Sequence, residues 1–211
     1  MNRGVMLSSF VRHLFPRVVL ERNLRLSYTL CLGGLALTSF LVLVVTGTML
    51  LFYYRPSPEA AFESILYLES QVPGGAFVRS LHRLASHTLL VLVALHALRV
   101  VWTGAYRPPR EWNWLVGVAL ALLSVAQAYT GYLLPLDQLG YWATHTGMEL
   151  LRTLPFGDAL RALLVPDRVG GPLSLIRFYA FHIAVIPMAI VVLTALHFYI
   201  IRKQRGLLPY L

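Results

Sequence analysis

Four histidines lie within long apolar stretches of this sequence, as two pairs: His82 and His96, and His182 and His197. The members of the two pairs are 14 and 15 residues apart. In an α-helix these separations correspond to roughly 21 Å and 22 Å along the axis, and they return to within about 40° and 60° of the same face. Ionisable side chains at membrane depth are costly and by default indicate function. Each helix therefore offers two imidazoles on one side, near opposite membrane surfaces.

The helices that carry the two pairs are separated by one further span, so both cross the membrane in the same direction. The first histidine of one pair should therefore lie at the same depth as the first histidine of the other. His82 should then face His182 near the outer surface, and His96 should face His197 near the inner surface. A six-coordinate haem takes one axial ligand from each face, so this arrangement predicts two stacked bis-histidine haem sites. Zinc would need further ligands, which neither level offers within the spans. Hydrogen bonding between helices explains a single transmembrane histidine well, but it explains four in matched register poorly.

Glycines in the other two apolar stretches repeat with the same period. Gly33 and Gly47 are 14 residues apart, and so are Gly117 and Gly131. Glycine allows a flat ring or another backbone to approach closely, so the four positions could admit the edges of two macrocycles. Alone, such pairs indicate helix packing. In register with the histidines, they favour haem.

Basic residues near the histidines are candidate partners for the anionic haem propionates. Four arginines close to the paired histidines are the candidates: Arg79, Arg83, Arg99 and Arg177. An arginine at a membrane boundary is more often a snorkelling anchor, but we expect some of the four to contact propionates. Packing or solvated roles are assigned to the three other histidines: His13, His87 and His145.

The composition places these residues in a membrane protein. The 211-residue chain is 57% hydrophobic and 13% charged, with a mean hydropathy of +0.66, whereas soluble domains carry about 25% charged residues. A soluble enzyme, a disordered tail and a secreted disulfide scaffold are excluded. Cys31 is the sole cysteine, so it cannot form an internal disulfide.

Four stretches, spans A to D, are long enough to cross a bilayer as helices, which takes about 20 apolar residues. They cover 26–54, 77–103, 112–136 and 175–203. We expect an all-α fold, a single membrane domain over 1–211, in which a four-transmembrane-helix bundle binds haem between helices B and D.

Two regions outside the spans predict surface helices. Residues 1–25 hold five arginines among apolar residues, which favours an amphipathic helix on the membrane surface over a cleaved signal peptide. The C–D connection, 137–173, is long for a structureless loop. Within it, 148–154 and 158–165 predict short amphipathic helices that could roof a pocket between the spans.

The basic residues are unevenly distributed between the two membrane sides. The N-terminal segment, the B–C connection and the tail hold 11 of the 18 basic residues and two of the nine acids. The positive-inside rule therefore places both termini on the inner side. The net charge of +9 reflects this topology rather than nucleic-acid binding, because no nucleic-acid motif is present.

Nine short strings carry a family resemblance: CLGG (31–34), FYYRP (52–56), RSLHR (79–83), LHALRV (95–100), RPPRE (107–111), TGY (130–132), DQLGYWA (137–143), RFYAFH (177–182) and IRKQ (201–204). Together they resemble the cytochrome b6 family, the four-helix half of a split cytochrome b. The resemblance covers roughly 28–206. It implies two b haems with the same histidine pairing as the geometry predicts.

The resemblance also implies a function. The chain would be the diheme subunit of a quinol–cytochrome c/plastocyanin-type oxidoreductase, active within its complex and contributing to proton translocation. Quinol would be oxidised near the outer haem, one electron going to a Rieske iron–sulfur protein and the other across the b haems to an inner quinone site. Further implied partners are a subunit-IV-like C-terminal half, a c-type cytochrome and a second copy of the complex. Tyr132 and Asp137 would contribute to the quinol pocket.

Cys31 has two interpretations. Without a CxxCH motif, it would be an inert thiol. The resemblance implies that it carries a c-type haem through one thioether, with Arg202 and Lys203 near that haem's carboxylates. Seventeen arginines against one lysine favour a bacterial inner membrane over a thylakoid.

Two other functions are compatible with these observations. A diheme membrane anchor of another quinone-linked dehydrogenase or hydrogenase would lack a Rieske partner. A haem-free transporter, with the histidines along a proton path, would show no Soret absorption.

Overall fold

The computed structural model describes residues 30–204, and no β-strand occurs among them. The expected all-α fold is confirmed for this part of the chain. In chain order its helices are α1 (Leu32–Leu51), α2 (Ala61–Gln71), α3 (Gly75–Trp102), α4 (Glu111–Leu133), α5 (Gln138–Arg152), α6 (Gly157–Leu164), α7 (Pro172–Ala180) and α8 (Ile186–Lys203). A π-helical turn over Phe181–Val185 joins α7 to α8. The surface helix predicted over 1–25, with His13, lies outside the described residues.

Four helical segments are long and apolar enough to cross a membrane. They are α1, α3, α4 and the continuous α7–π–α8 segment over Pro172–Lys203, and they correspond to spans A to D. Helix α1 ends at Leu51, three residues before the predicted end of span A. Arg55 precedes Pro56, and a residue before proline disfavours the helical conformation, so the chain turns there. Span D begins with Pro172 in its first turn, where a missing N–H is harmless.

The spans are arranged as two packed pairs. Helix α3 packs along α1, and α8 packs along α4, with α3 also beside α4. By contrast, the backbones of α3 and α8 hardly approach each other. The two histidine-bearing helices are therefore held apart by their partners.

The connections on the outer side form a helical layer. Helix α2, in the A–B connection, was not anticipated from the sequence. Helix α5 begins at Gln138, ten residues before the predicted start, because Asp137 caps it by accepting a hydrogen bond from the Gly140 amide at 2.7 Å. Helix α6 lies close to the predicted 158–165.

The main cluster of buried apolar side chains lies where this layer meets spans C and D. Its buried members are Ala61, Leu133, Met148, Val165, Val169, Leu175 and Phe178. Elsewhere the spans expose many large apolar side chains, as lipid-facing surfaces do. The outer end of the bundle is therefore its best-packed region.

Candidate functional site

The outer histidine pair is brought together as the sequence predicts. His82 of α3 and His182 of the π-turn have ring centroids 6.3 Å apart, with their planes at 70°. Two metal–nitrogen bonds of about 2 Å each, with the distance from each ring centre to its nitrogen, account for this separation. The space between the two rings thus fits one metal ion with an imidazole on each side.

A hydroxyl on the neighbouring helix defines the tautomer of His82. Thr46 Oγ1 lies 2.8 Å from His82 Nδ1 and donates its own proton to the Val42 carbonyl at 2.7 Å. Since the hydroxyl proton is used, Nδ1 donates and Oγ1 accepts. The proton on Nδ1 leaves the lone pair of Nε2 free for a metal.

His182 is oriented in the same way by span C. The Gln127 carbonyl lies 3.0 Å from His182 Nδ1 and accepts its proton, and the Thr130 hydroxyl donates to the same carbonyl at 3.0 Å. Sequence reasoning missed Thr46, Gln127 and Thr130. A signal was present for the two threonines, because each immediately precedes a glycine that faces a histidine.

The inner pair, His96 and His197, lies at the other end of the spans, with His96 against Gly33 and His197 against Gly117. His197 lies against the main chain of Asn113 on α4, and among the described residues Asn113 Oδ1 is buried without a hydrogen-bond partner. Buried polar atoms rarely remain unpaired, so the region around the inner histidines can still form a hydrogen bond that the protein itself does not supply. That capacity fits a site completed by a bound group.

The four glycines lie against the four histidines, one to one. A Cβ built at each would meet the Cε1 atom of a paired imidazole: Gly33 with His96 at 3.3 Å, Gly47 with His82 at 3.2 Å, Gly117 with His197 at 3.4 Å and Gly131 with His182 at 2.5 Å. The glycines therefore let the imidazoles pack against the partner helix. Contact with macrocycle edges, expected from the sequence, stays a prediction.

The π-turn resolves the mismatch between the two histidine spacings. At about 100° per residue, the extra residue between His182 and His197 would rotate one of them away from the face shared by His82 and His96. In the turn over Phe181–Val185, the Ile186 amide donates to the Phe181 carbonyl, five residues back. This wider turn absorbs the additional residue and returns both histidines to one face.

The four candidate propionate arginines differ in their surroundings. Arg79 pairs with Glu69 of α2, and Arg177 donates to the carbonyls of Ala162 and Leu163 at the end of α6. Both anchor the outer helical layer. Arg83 is exposed beside His82, and Arg99 is partly buried one turn from His96. Contact of these arginines with propionates remains a prediction.

Cys31 lies at the level of the inner histidines. It is exposed and precedes α1 with a φ of 48°, two residues before Gly33, which packs on His96. Arg202 and Lys203 end α8 and are exposed. Gln204 donates to the Pro109 carbonyl at 2.7 Å, which ties the end of span D to the B–C connection. The two connections predicted for the inner side thus meet.

The candidate quinol residues lie at the outer end. Tyr132 is exposed near the end of α4, and the carboxylate of Asp137 is the cap of α5 described above. His145 stacks on Tyr141, with ring centroids 6.4 Å apart, and His87 is exposed on α3, away from the ligand face.

The fold and the site define an integral membrane protein, a four-helix bundle with two facing histidines, His82 and His182, at one end and a second pair of histidines towards the other end. Comparison with known proteins identifies the family: residues 18–205 match the one described as Cytochrome b/b6/petB, and the chain belongs to it. A protein named cytochrome b6 from Heliobacterium mobile is 43% identical over 175 residues, covering 82% of each chain. The cytochrome b6 of Synechocystis is also 43% identical, over 82% of this chain and 79% of its own length.

A solved structure supports the same fold. A chain of a hyperthermophilic respiratory Complex III superimposes with a TM-score of 0.79 at 26% sequence identity. The match covers 98% of the present chain and 53% of that one. The chain thus spans about half the length of this structural relative.

Proposed function

We propose that this chain is the diheme cytochrome b subunit of a quinol oxidoreductase of the b6f or bc type. Two b haems would be held by His82 with His182, and by His96 with His197. The observation that carries the proposal is the outer pair: two imidazoles face each other at 6.3 Å, and each has its Nδ1 hydrogen-bonded so that Nε2 is free.

The protein's own contribution to electron transfer is to fix the ligands. Bound haem supplies a one-electron redox centre at each level. Thr46 and the Gln127 carbonyl hold the Nδ1 protons, which sets the ring orientation and raises the basicity of the ligand nitrogens. Electrons crossing between the two levels would connect quinol oxidation outside to quinone reduction inside and so contribute to proton translocation.

Cys31 extends the proposal to the inner side. Its position beside the inner histidine level and its exposed thiol support attachment of a further haem through one thioether, as the resemblance implies. Arg202 and Lys203, at the end of span D, would face the carboxylates of that haem.

The remaining parts of the complex are proposed from the family. Identity to proteins named cytochrome b6, and the structural match to a Complex III chain, support a subunit-IV-like partner, a Rieske iron–sulfur protein and a c-type cytochrome. Tyr132 and the outer helical layer would line the quinol pocket together with the partner. We propose a bacterial inner membrane, with both termini inside.

The ligand assignment is tested by removing one histidine at a time. His96→Ala should remove the inner b haem and leave the outer one, and His82→Ala should do the reverse. A pyridine haemochrome assay on the purified complex measures the b haem content, and redox titration resolves the two centres. Retention of both b haems in either variant would refute the assignment, and absence of haem from the unmodified complex would refute the function.

A further inference from the structure

The main-chain carbonyl of His182 has lost its partner within its own helix. In an α-helix it would accept from the Ile186 amide, but that amide donates to Phe181 in the π-turn. The next residue is Pro187, which has no N–H. The residue that carries a proposed haem ligand therefore presents a free carbonyl inside the membrane, where an unpaired polar group costs several kcal/mol.

The side chain of Gln127, on span C, supplies the missing donor. Its Nε2 donates to the His182 carbonyl at 2.7 Å, while the Gln127 main-chain carbonyl accepts from His182 Nδ1 at 3.0 Å. The opposite amide orientation would place Oε1 against a carbonyl oxygen, so the contact fixes the amide. One residue thus holds His182 at both its main chain and its ring.

The inner level has no equivalent arrangement in the described structure. Span D around His197 is regular α-helix, so the His197 carbonyl is not left free by a π-turn and a proline as the His182 carbonyl is. The contact with Gln127 is therefore particular to the outer ligand, and a change at Gln127 should act on one level of the bundle.

We infer that Gln127 is a positioning residue for the outer ligand: by satisfying the carbonyl that the π-turn and Pro187 leave free, it holds His182 in the orientation its imidazole needs. The inference rests on the proposed function, because it takes His182 to be a ligand. Without the amide, the His182 main chain shifts to find another donor and the bond from Nδ1 to the Gln127 carbonyl lengthens. The imidazole then becomes less basic, which favours the reduced haem.

The test compares Gln127→Met with Ser124→Ala in the purified complex. Methionine matches glutamine in length but cannot donate. Ser124 lies on the same helix, is buried, and donates to Leu120 of its own helix at 2.8 Å. Redox titration and the electron paramagnetic resonance of the low-spin ferric haems report each centre separately. Each variant is also combined with His96→Ala, which should remove the inner haem. The signal of the outer haem can then be measured without overlap from the inner one.

In the complex that keeps His96, we expect Gln127→Met to retain both b haems; in either background it should shift the outer midpoint upward and change the low-spin signal. A change of 59 mV in the difference between the two midpoint potentials corresponds to a tenfold change in the equilibrium constant for transfer of one electron between the haems. The inner haem and the Ser124→Ala variant should be unchanged. An outer haem identical in Gln127→Met and the unmodified complex overturns the inference and leaves the proposed function intact.

Pro187→Ala supplies a second, independent arm, because alanine restores an N–H near the His182 carbonyl. Gln127→Met should therefore have a smaller effect in the Pro187→Ala background than in the unmodified chain, a coupling that a double-mutant cycle measures. If Gln127→Met alone fails to assemble, the double variant should recover assembly. Equal effects in both backgrounds, or no recovery, would contradict the inference.

Discussion

Thr46 Oγ1 and His82 Nδ1 are 2.8 Å apart across the interface of α1 and α3, so a hydroxyl on one span determines which nitrogen of the histidine on the next carries the proton. The hydroxyl is buried, and its own proton is used by the Val42 carbonyl. For His82 as a proposed haem ligand, a buried contact of this kind fixes the orientation of the ring as well as its packing.

Replacing Thr46 with valine should weaken the proposed outer haem site. Valine keeps the branched shape but removes the acceptor, and loss of such a contact typically lowers affinity by about 10- to 100-fold. The measurement is outer haem content and midpoint potential in the purified complex. Thr48→Val is the matched control, because Thr48 is exposed and donates to Val44 of its own helix. Equal haem content and potential in the two variants would show that the hydroxyl has no role in ligation.

Alanine at Gly131 should damage the outer site, whereas alanine at Gly34 should not. A Cβ at Gly131 would lie 2.5 Å from His182 Cε1, closer than real Cβ contacts, while a Cβ at Gly34 would have nothing within 4 Å. Overpacking of this kind costs about 1–3 kcal/mol, and the displaced imidazole loses its position. Haem content and thermal denaturation measure both effects. A normal outer haem in Gly131→Ala would contradict the prediction, because it would mean that spans C and D can move apart without displacing the imidazole of His182.

Serine at Cys31 should remove a covalent haem and leave the two extractable b haems in place. The exposed thiol lies outside the two histidine pairs, so its loss leaves those ligands untouched. Haem staining on a denaturing gel, before and after acid–acetone extraction, separates covalent from extractable haem. The unmodified chain must stain for the proposal to hold, and a chain without covalent haem would leave Cys31 as a structural thiol.

Asp167 should stabilise the start of span D in a pH-dependent way. Its carboxylate accepts from the Leu173 amide at 2.9 Å, from the Ser174 amide at 3.1 Å and from the Ser174 hydroxyl. Desolvation acts to raise the pKa of Asp167, but the hydrogen bonds from Ser174 and Leu173 oppose it, and the net pKa is lowered. The stabilisation is therefore complete above the unfolded pKa of about 3.9 and is lost as the pH falls through the lower folded value.

Asp167→Asn provides the measurement for this prediction. Asparagine keeps one acceptor oxygen but loses the other and the charge, so the variant should be less stable at neutral pH, by less than the ~1 kcal/mol that loss of a whole cap costs. The difference in melting temperature between the two proteins should shrink below about pH 4. A difference independent of pH would show that the carboxylate charge contributes nothing.

Much of this protein follows from sequence alone, because a bilayer imposes simple requirements. Long apolar stretches with few charges are expected to cross it as helices, so the four spans can be recognised without knowledge of their neighbours. The four histidines and the four glycines follow from the same logic, since their spacing is set by the helix itself. Parallel spans then place His82 opposite His182 before any contact is known.

The contacts between spans depended on the tertiary structure. Nothing in the composition shows that Gly131 faces His182, or that Arg79 and Arg177 bind the outer helical layer. In a regular helix the 15-residue spacing on span D would differ from the 14-residue spacing on span B by about 100° of rotation. A π-turn, with Pro187 beyond it and Gln127 beside it, provides the reconciliation. Local periodicity determined where the ligands lie along each helix, whereas packing between helices determined how each ligand is turned and held, because the hydrogen bonds that orient it come from other spans.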